Sequence, residues 1–201
     1  MTSVNGQRKI ALLGSTGSIG CSTLDVVRHH PDLYQIICLA AGKNIPLLTQ
    51  QISEFVPQLV VVENGKDVSL LQELFPEIEI IPGASGVMAA VEHGSVDTIV
   101  SAITGTVALK ATFRAIERGL RICLANKETL VAAGELINKA LKSSTALILP
   151  IDSEQSAIFQ ALSGLETRGV RRLILTASGG PFLGRKRGDL WHVTPKQALA
   201  H

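Results

Sequence analysis

An α/β fold built on a doubly wound parallel sheet is predicted by three features of the sequence. Short runs rich in Val, Ile and Leu alternate with longer helical patterns, the rhythm of repeated βαβ units. Hydrophobic residues make up 46% of the chain and are mostly aliphatic, with aromatics at only 3%. That composition suits strands covered on both faces by helices. Finally, the first strand candidate runs through a glycine-rich turn straight into a helix.

Taken in order, "KIALLGS" reads as a strand and "SIGCSTLDVVRHH" as a helix that stops before Pro31. "QIICLAAG" is a second strand, followed by a helical "IPLLTQQISEFV". "QLVVVE" and "DVSLLQELF" repeat the pair. "EIEIIPG" and "DTIVSAI" are further strands, each leading into a helical pattern, the second ended by Gly119 after "ATFRAIER". "LRICLAN" precedes the long helix "KETLVAAGELINKALK", and "TALILP" closes the series. Beyond Pro150 the chain changes character, with basic loops ("TRGVRR", "LGRKRGD") and the pair Gly179-Gly180. The expected boundary therefore falls near Pro150, dividing residues 1–150 from residues 151–201. Within the latter, "RRLILT" reads as an apolar strand running into the small-residue turn "TASGGPF".

The bulk numbers narrow the function. With 201 residues and a net charge of only +2, the chain does not fit a broad electrostatic nucleic-acid binder. No apolar run reaches membrane-spanning length, and "MTSVNGQRK" lacks the apolar core of a secretory signal. Three cysteines (Cys21, Cys38, Cys123) without metal-type spacing fit a reducing compartment. The expectation is a soluble intracellular protein.

"GSTGSIG", Gly14 to Gly20, is the first βα turn of a βαβ unit. Glycines there let the backbone turn tightly and approach a pyrophosphate, while the helix start presents free N–H groups and a positive dipole end. The spacing is G-x-x-G-x-x-G, and Thr16 and Ser18 add hydroxyls. A plain strand-to-helix turn is the bland alternative, but the context is the one dinucleotide binding requires. The end of the second strand then selects the dinucleotide. An NAD site usually carries an acid there for the ribose 2′-OH. "AAGKN" has none; Gly42 allows close approach, Lys43 supplies charge and Asn44 can donate hydrogen bonds, which suits a 2′-phosphate and hence NADP.

Two more strand ends carry polar groups. Asn126, Lys127 and Glu128 follow an apolar strand, where ligands bind in open α/β sheets. They equally fit a helix start, with Asn126 as N-cap and Glu128 in the first turn. Asp152 and Glu154 in "LPIDSEQSAIFQ" repeat the ambiguity. Asp152 with Gln155 resembles a capping box. The alternative is a hard divalent cation such as Mg²⁺ or Mn²⁺, which prefers carboxylate oxygen and needs an extended backbone to bring residues i and i+2 to one side. On pattern alone, capping explains Asp152 and leaves Glu154 less accounted for.

"GSTGSIG", "AGKN", "ANKE", "PIDSE" and "SGGPF", in this order, resemble 1-deoxy-D-xylulose 5-phosphate reductoisomerases. The resemblance covers the whole chain and implies a Rossmann-type NADPH domain followed by the start of an α/β catalytic domain. It also implies conversion of 1-deoxy-D-xylulose 5-phosphate to 2-C-methyl-D-erythritol 4-phosphate in isoprenoid synthesis, with NADPH and Mg²⁺ or Mn²⁺. By resemblance, Thr16, Gly17, Ser18 and Ile19 hold the pyrophosphate region, and Gly42, Lys43 and Asn44 the 2′-phosphate side. Asn126 and Glu128 match further cofactor contacts. Asp152 and Glu154 match metal ligands, while Lys127, Ser153, Glu154, Ser178 and His201 match substrate contacts. Of these, Lys127, Glu154 and His201 are the expected catalytic groups. In the family the chain continues beyond this histidine with a flap tryptophan, which Trp191 does not match, a phosphate-binding group, a third metal carboxylate and a helical domain. The resemblance thus implies an N-terminal portion, inactive on its own, with weak metal binding and with Asp152 and Glu154 largely solvated. A homodimer in a bacterial cytoplasm is implied for the whole enzyme, plastid stroma being the other compartment. The alternatives are a non-catalytic NADPH-binding fragment and another NADP-dependent dehydrogenase.

Overall fold

The structure, a computed structural model, describes residues 6–176 and 179–200. The chain divides into two compact units, Met1–Asp152 and Ser153–His201.

In the first unit seven parallel strands form one sheet. They are β1 (Arg8–Leu13), β2 (Tyr34–Ala40), β3 (Leu59–Val62), β4 (Glu79–Pro82), β5 (Thr98–Ser101), β6 (Arg121–Leu124) and β7 (Leu147–Pro150), in the spatial order β4-β3-β2-β1-β5-β6-β7. The winding reverses at β1, which pairs with β2 on one side and β5 on the other. Six helices alternate with the strands: α1 (Ser18–His29), α2 (Ile45–Phe55), α3 (Lys66–Leu74), α4 (Gly83–Glu92), α5 (Thr106–Glu117) and α6 (Lys127–Leu141). The expected strand–helix order from residue 9 to residue 150 is thus found.

Side-chain alternation along the strands sorts the core into two layers. Ile10 and Leu12 of β1 join Leu24 and Val27 of α1, Leu48 and Ile52 of α2 and Leu71 of α3. Ala11 and Leu13 point the other way and meet Val91 of α4, Ile116 of α5 and Ile137 of α6. Helices on both faces follow from the right-handed crossover rule once the winding direction reverses. The alternation slips once in β2. Ile10 pairs with Ile36 but Ala11 with Cys38, so Ile37 is an extra residue, and Ile37 and Cys38 both serve the α4–α6 layer. Both edge strands, β4 and β7, end in proline (Pro82, Pro150), a residue tolerated there because no further strand needs its missing N–H.

Cys38 lies fully buried in this core, and burial, assisted by the Glu79 charge, pushes its thiol up to about 12. Burial also raises the Cys123 thiol. Iodoacetamide at about pH 8 is therefore expected to leave Cys38 unmodified in the native chain and to label it only on unfolding, because the thiolate is the nucleophile. Peptide mass spectrometry checks this; rapid native labelling of Cys38 would contradict the packing described.

The described residues of the second unit form α7 (Ser153–Leu162), three short 3₁₀ turns (Thr167–Gly169, Gly180–Phe182, Arg187–Leu190) and α8 (Pro195–Ala198). Thr194 and Gln197 form a capping box at the start of α8, and the Arg185 guanidinium stacks over the Phe182 ring. None of its described residues whose exposure is given is buried. The expected strand in "RRLILT" is not formed: residues 171–176 have no regular structure, and Leu173, Ile174 and Leu175 are 59%, 71% and 68% exposed. A strand is stable only when paired, and the described residues of this unit contain no other strand to pair with it.

Candidate active site

The functional residues expected in the first unit all lie beyond the C-terminal ends of parallel strands. The glycine turn follows β1, Gly42 to Asn44 follow β2, Asn126 to Glu128 follow β6, and Asp152 follows β7. This is the edge where doubly wound sheets bind ligands.

The turn after β1 is shaped by backbone approach. Gly14 adopts φ +94, and a Cβ there would lie 2.5 Å from the Ala102 carbonyl oxygen. A Cβ on Gly20 would lie 2.2 Å from the Gly14 carbonyl oxygen and 2.5 Å from that of Ser15. These two glycines are needed by the fold itself. Gly17, the N-cap of α1, is different: an added Cβ would meet only the Gly14 oxygen at 3.5 Å, an ordinary contact. Packing within the chain therefore does not require glycine at this position. Ser18 and Ile19 open α1, where first-turn N–H groups have no acceptor within the helix, and Thr16 is half-buried in the turn.

At the end of β2, Gly42, Lys43 and Asn44 are exposed. Asn44 caps α2, its side-chain oxygen accepting from the Leu47 N–H at 3.3 Å, which leaves its NH₂ as a donor. A cavity of about 430 Å³ opens beside them, bounded by Gly42, Glu63, Gly83, Ile103 and Thr104 over an aliphatic floor. Glu63, Gly83 and Thr104 belong to none of the motifs that mark the other strand ends. The signal was present, since each stands just beyond β3, β4 or β5, and the strand-end rule applies to them as to Lys43.

Asn126 is 5% exposed and built into the fold. Its side-chain oxygen accepts from the Thr129 N–H at 3.2 Å, capping α6, and its NH₂ donates to the Ile103 carbonyl at 2.7 Å. The capping reading thus describes its geometry. Glu128 is exposed in the first turn of α6. The Lys127 ammonium donates to the Asp152 carboxylate at 3.0 Å. The Asp152 side chain is only 16% exposed, so the expectation that it stands largely solvated is corrected. A lysine 25 positions earlier covers it, because β6 and β7 are neighbours and bring their ends together.

In the second unit Ser153 and Glu154 are exposed in the first turn of α7, the Ser153 hydroxyl donating to the Glu154 carboxylate at 2.8 Å. The extended backbone that an i, i+2 ligand pair calls for therefore ends before Glu154. Among the described residues no group of three or more His, Cys, Asp or Glu side chains is placed to hold a metal ion. Ser178 and His201 lie outside the described residues. No helix among the described residues is long and apolar enough to cross a membrane.

Reversal of winding at β1, a glycine turn closing on α1 and a cavity beyond the strand ends define the first unit as a Rossmann-type α/β domain. Comparison with known proteins carries this further. The signature described as "1-deoxy-D-xylulose 5-phosphate reductoisomerase" matches residues 10–134, and that of the C-terminal domain of the same enzyme matches residues 148–201. The chain belongs to the 1-deoxy-D-xylulose 5-phosphate reductoisomerase family. It is 49% identical over 196 residues to the reductoisomerase of Pelodictyon phaeoclathratiforme, and 44% identical over 194 residues to that of Bacillus cereus (strain Q1). Each alignment covers 96% of this chain and 51% of the relative, so the chain spans about half the length of the curated relatives it matches. The Zymomonas mobilis enzyme, solved in complex with NADPH, superposes with a TM-score of 0.82 at 38% identity over 97% of this chain and 52% of that one. A reductoisomerase solved with NADPH, fosmidomycin and magnesium gives 0.78 at 37% identity, over 95% and 50%.

Proposed function

We propose that this protein takes part in the NADPH-dependent reductive isomerisation of 1-deoxy-D-xylulose 5-phosphate to 2-C-methyl-D-erythritol 4-phosphate. The observation that carries the reading is a shared edge. The glycine turn and an acid-free β2 end bearing Lys43 lie at the same end of the sheet as the Lys127–Asp152 pair. The relatives solved with NADPH and with magnesium support the same assignment.

In this reading the N–H groups at the start of α1, with Thr16, Gly17, Ser18 and Ile19, hold the pyrophosphate. Gly42 lets the ribose approach, and Lys43 and the Asn44 NH₂ take the 2′-phosphate. Asn126 and Glu128 complete the cofactor side. Asp152 and Glu154 supply the carboxylate oxygens that Mg²⁺ or Mn²⁺ prefers. When bound, the cation acts as a Lewis acid toward the substrate's oxygens and NADPH provides the hydride that reduces the rearranged aldehyde. Lys127 holds positive charge beside Asp152, orienting that carboxylate and countering negative charge that develops on the substrate. Ser153, Glu154, Ser178 and His201 are assigned to the sugar phosphate, with Lys127, Glu154 and His201 as the catalytic groups. The proposal extends to a homodimer in a bacterial cytoplasm, and to residues 1–150 and 151–201 as the cofactor and catalytic parts.

Fluorescence titration with NADPH, followed by an NADPH-oxidation assay with 1-deoxy-D-xylulose 5-phosphate and Mn²⁺, tests the reading. Saturable NADPH binding by the 201-residue chain is expected. Turnover is expected from a polypeptide of the relatives' length carrying this sequence. Failure of NADPH to bind would remove the cofactor assignment. Binding without any turnover, even at that length, would reduce the protein to a dinucleotide-binding module.

A further inference from the structure

We infer that Glu63 reads the base of the dinucleotide by accepting a hydrogen bond from the adenine 6-amino group; the inference rests on the NADPH reading above. Glu63 follows Val62, the last residue of β3, and β3 lies directly beside β2. The Ala41 N–H donates to the Val61 carbonyl at 2.9 Å, which brings the two strand ends together. Glu63 Oε2 comes within 3.6 Å of the point a Cβ on Gly42 would occupy. The carboxylate therefore stands at the rim of the cavity, one residue along from the group assigned to the 2′-phosphate.

The cavity has the character of a base slot. Its lining is largely aliphatic, with Ala41, Val61, Val62, Val87 and Val107 among the residues that bound it. Its volume of about 430 Å³ lies within the roughly 300–1,000 Å³ range of small-molecule pockets. The polar side chains on its lining are Glu63 and Thr104. An ionised carboxylate is an acceptor only. Adenine presents an amino donor at C6, whereas hypoxanthine presents a carbonyl acceptor at the same place. Glu63 thus attracts the first base and repels the second.

A second observation separates the roles of the two charges. Lys43 and Glu63, opposite in sign and on adjacent strand ends, form no ion pair with each other or with any other described residue. Each remains available to a ligand. The cation suits the phosphate and the anion suits the base amine.

The test compares NADPH with reduced nicotinamide hypoxanthine dinucleotide phosphate, both titrated by fluorescence into the wild-type chain and into Glu63→Gln. Gln has nearly the shape of Glu, and residue 63 is exposed, so folding is preserved. Wild type is expected to prefer NADPH by about tenfold or more, the worth of a hydrogen bond to a charged group. In Glu63→Gln the preference should fall to near unity, chiefly because the amide can donate to the hypoxanthine carbonyl. Equal binding of the two dinucleotides by wild type, or an unchanged preference in the variant, would overturn the assignment while leaving NADPH binding intact. Tighter NADPH binding by the variant, with the base preference retained, would also overturn it, since Glu63 would then face the 2′-phosphate. If neither dinucleotide binds wild type, the cofactor reading falls and takes this inference with it.

Discussion

Gly20→Ala is expected to destabilise the first unit by about 3 kcal/mol, at the upper end of overpacking costs, and to abolish NADPH binding. The new methyl would stand 2.2 Å from the Gly14 carbonyl oxygen, 2.5 Å from that of Ser15 and 2.6 Å from the Ser15 carbonyl carbon. All three are backbone atoms, so no side chain can swing aside. Relief requires α1 to move off the β1 turn. That helix carries Leu24 and Val27 into the core, so the shift opens one layer while tilting the N–H groups assigned to the pyrophosphate. Thermal unfolding should show a midpoint lower by roughly 10 °C. Gly17→Ala is the control: its methyl meets only the Gly14 oxygen at 3.5 Å, so stability should be retained while NADPH binding weakens. A Gly20→Ala chain that melts like wild type would show that the turn is not packed as described.

Lys43→Glu should invert cofactor preference. A ribose 2′-phosphate carries close to two negative charges at neutral pH, whereas NADH presents a hydroxyl there. The substitution removes an attraction and adds a repulsion, each worth about tenfold, so NADPH affinity should fall about a hundredfold. NADH affinity should hold or rise, because a carboxylate at the end of β2 is the usual partner of a free 2′-OH. The effect should shrink as salt is raised, since residue 43 is exposed. Titration of both cofactors at two ionic strengths measures it. Equal loss for NADH and NADPH would mean that Lys43 supports the loop rather than the phosphate.

What the sequence could and could not reveal follows from the range of each interaction. The strands of the first unit were legible because parallel strands buried on both faces become nearly continuous aliphatic runs, as in "LVVV" of β3. The same uniformity hid the extra residue in β2: "QIICLA" carries no polar–apolar alternation against which a slip could show. The glycine turn was legible because its constraint is local. Asp152 was misjudged because its cover arrives from Lys127 across the sheet. "RRLILT" has strand composition, but strand formation depends on a partner that composition does not report. Glu63 stands just beyond β3, where the strand-end rule that singles out Lys43 applies equally, but no local motif surrounds it to draw notice.

The inserted residue in β2 also matters for cofactor engineering. Because Ile37 and Cys38 both serve one face, every later position on the strand is half a pleat out of step with its earlier part. The phase in which the chain leaves the sheet toward Gly42 and Lys43 is therefore set several residues upstream of them. A graft that replaces "AGKN" alone keeps that phase. A graft that begins at Tyr34 and brings in a regularly alternating strand of the same length would exchange the faces of Leu39 and Ala40, and the glycine and lysine beyond them would be presented in reverse; one shorter by the inserted residue would keep both faces.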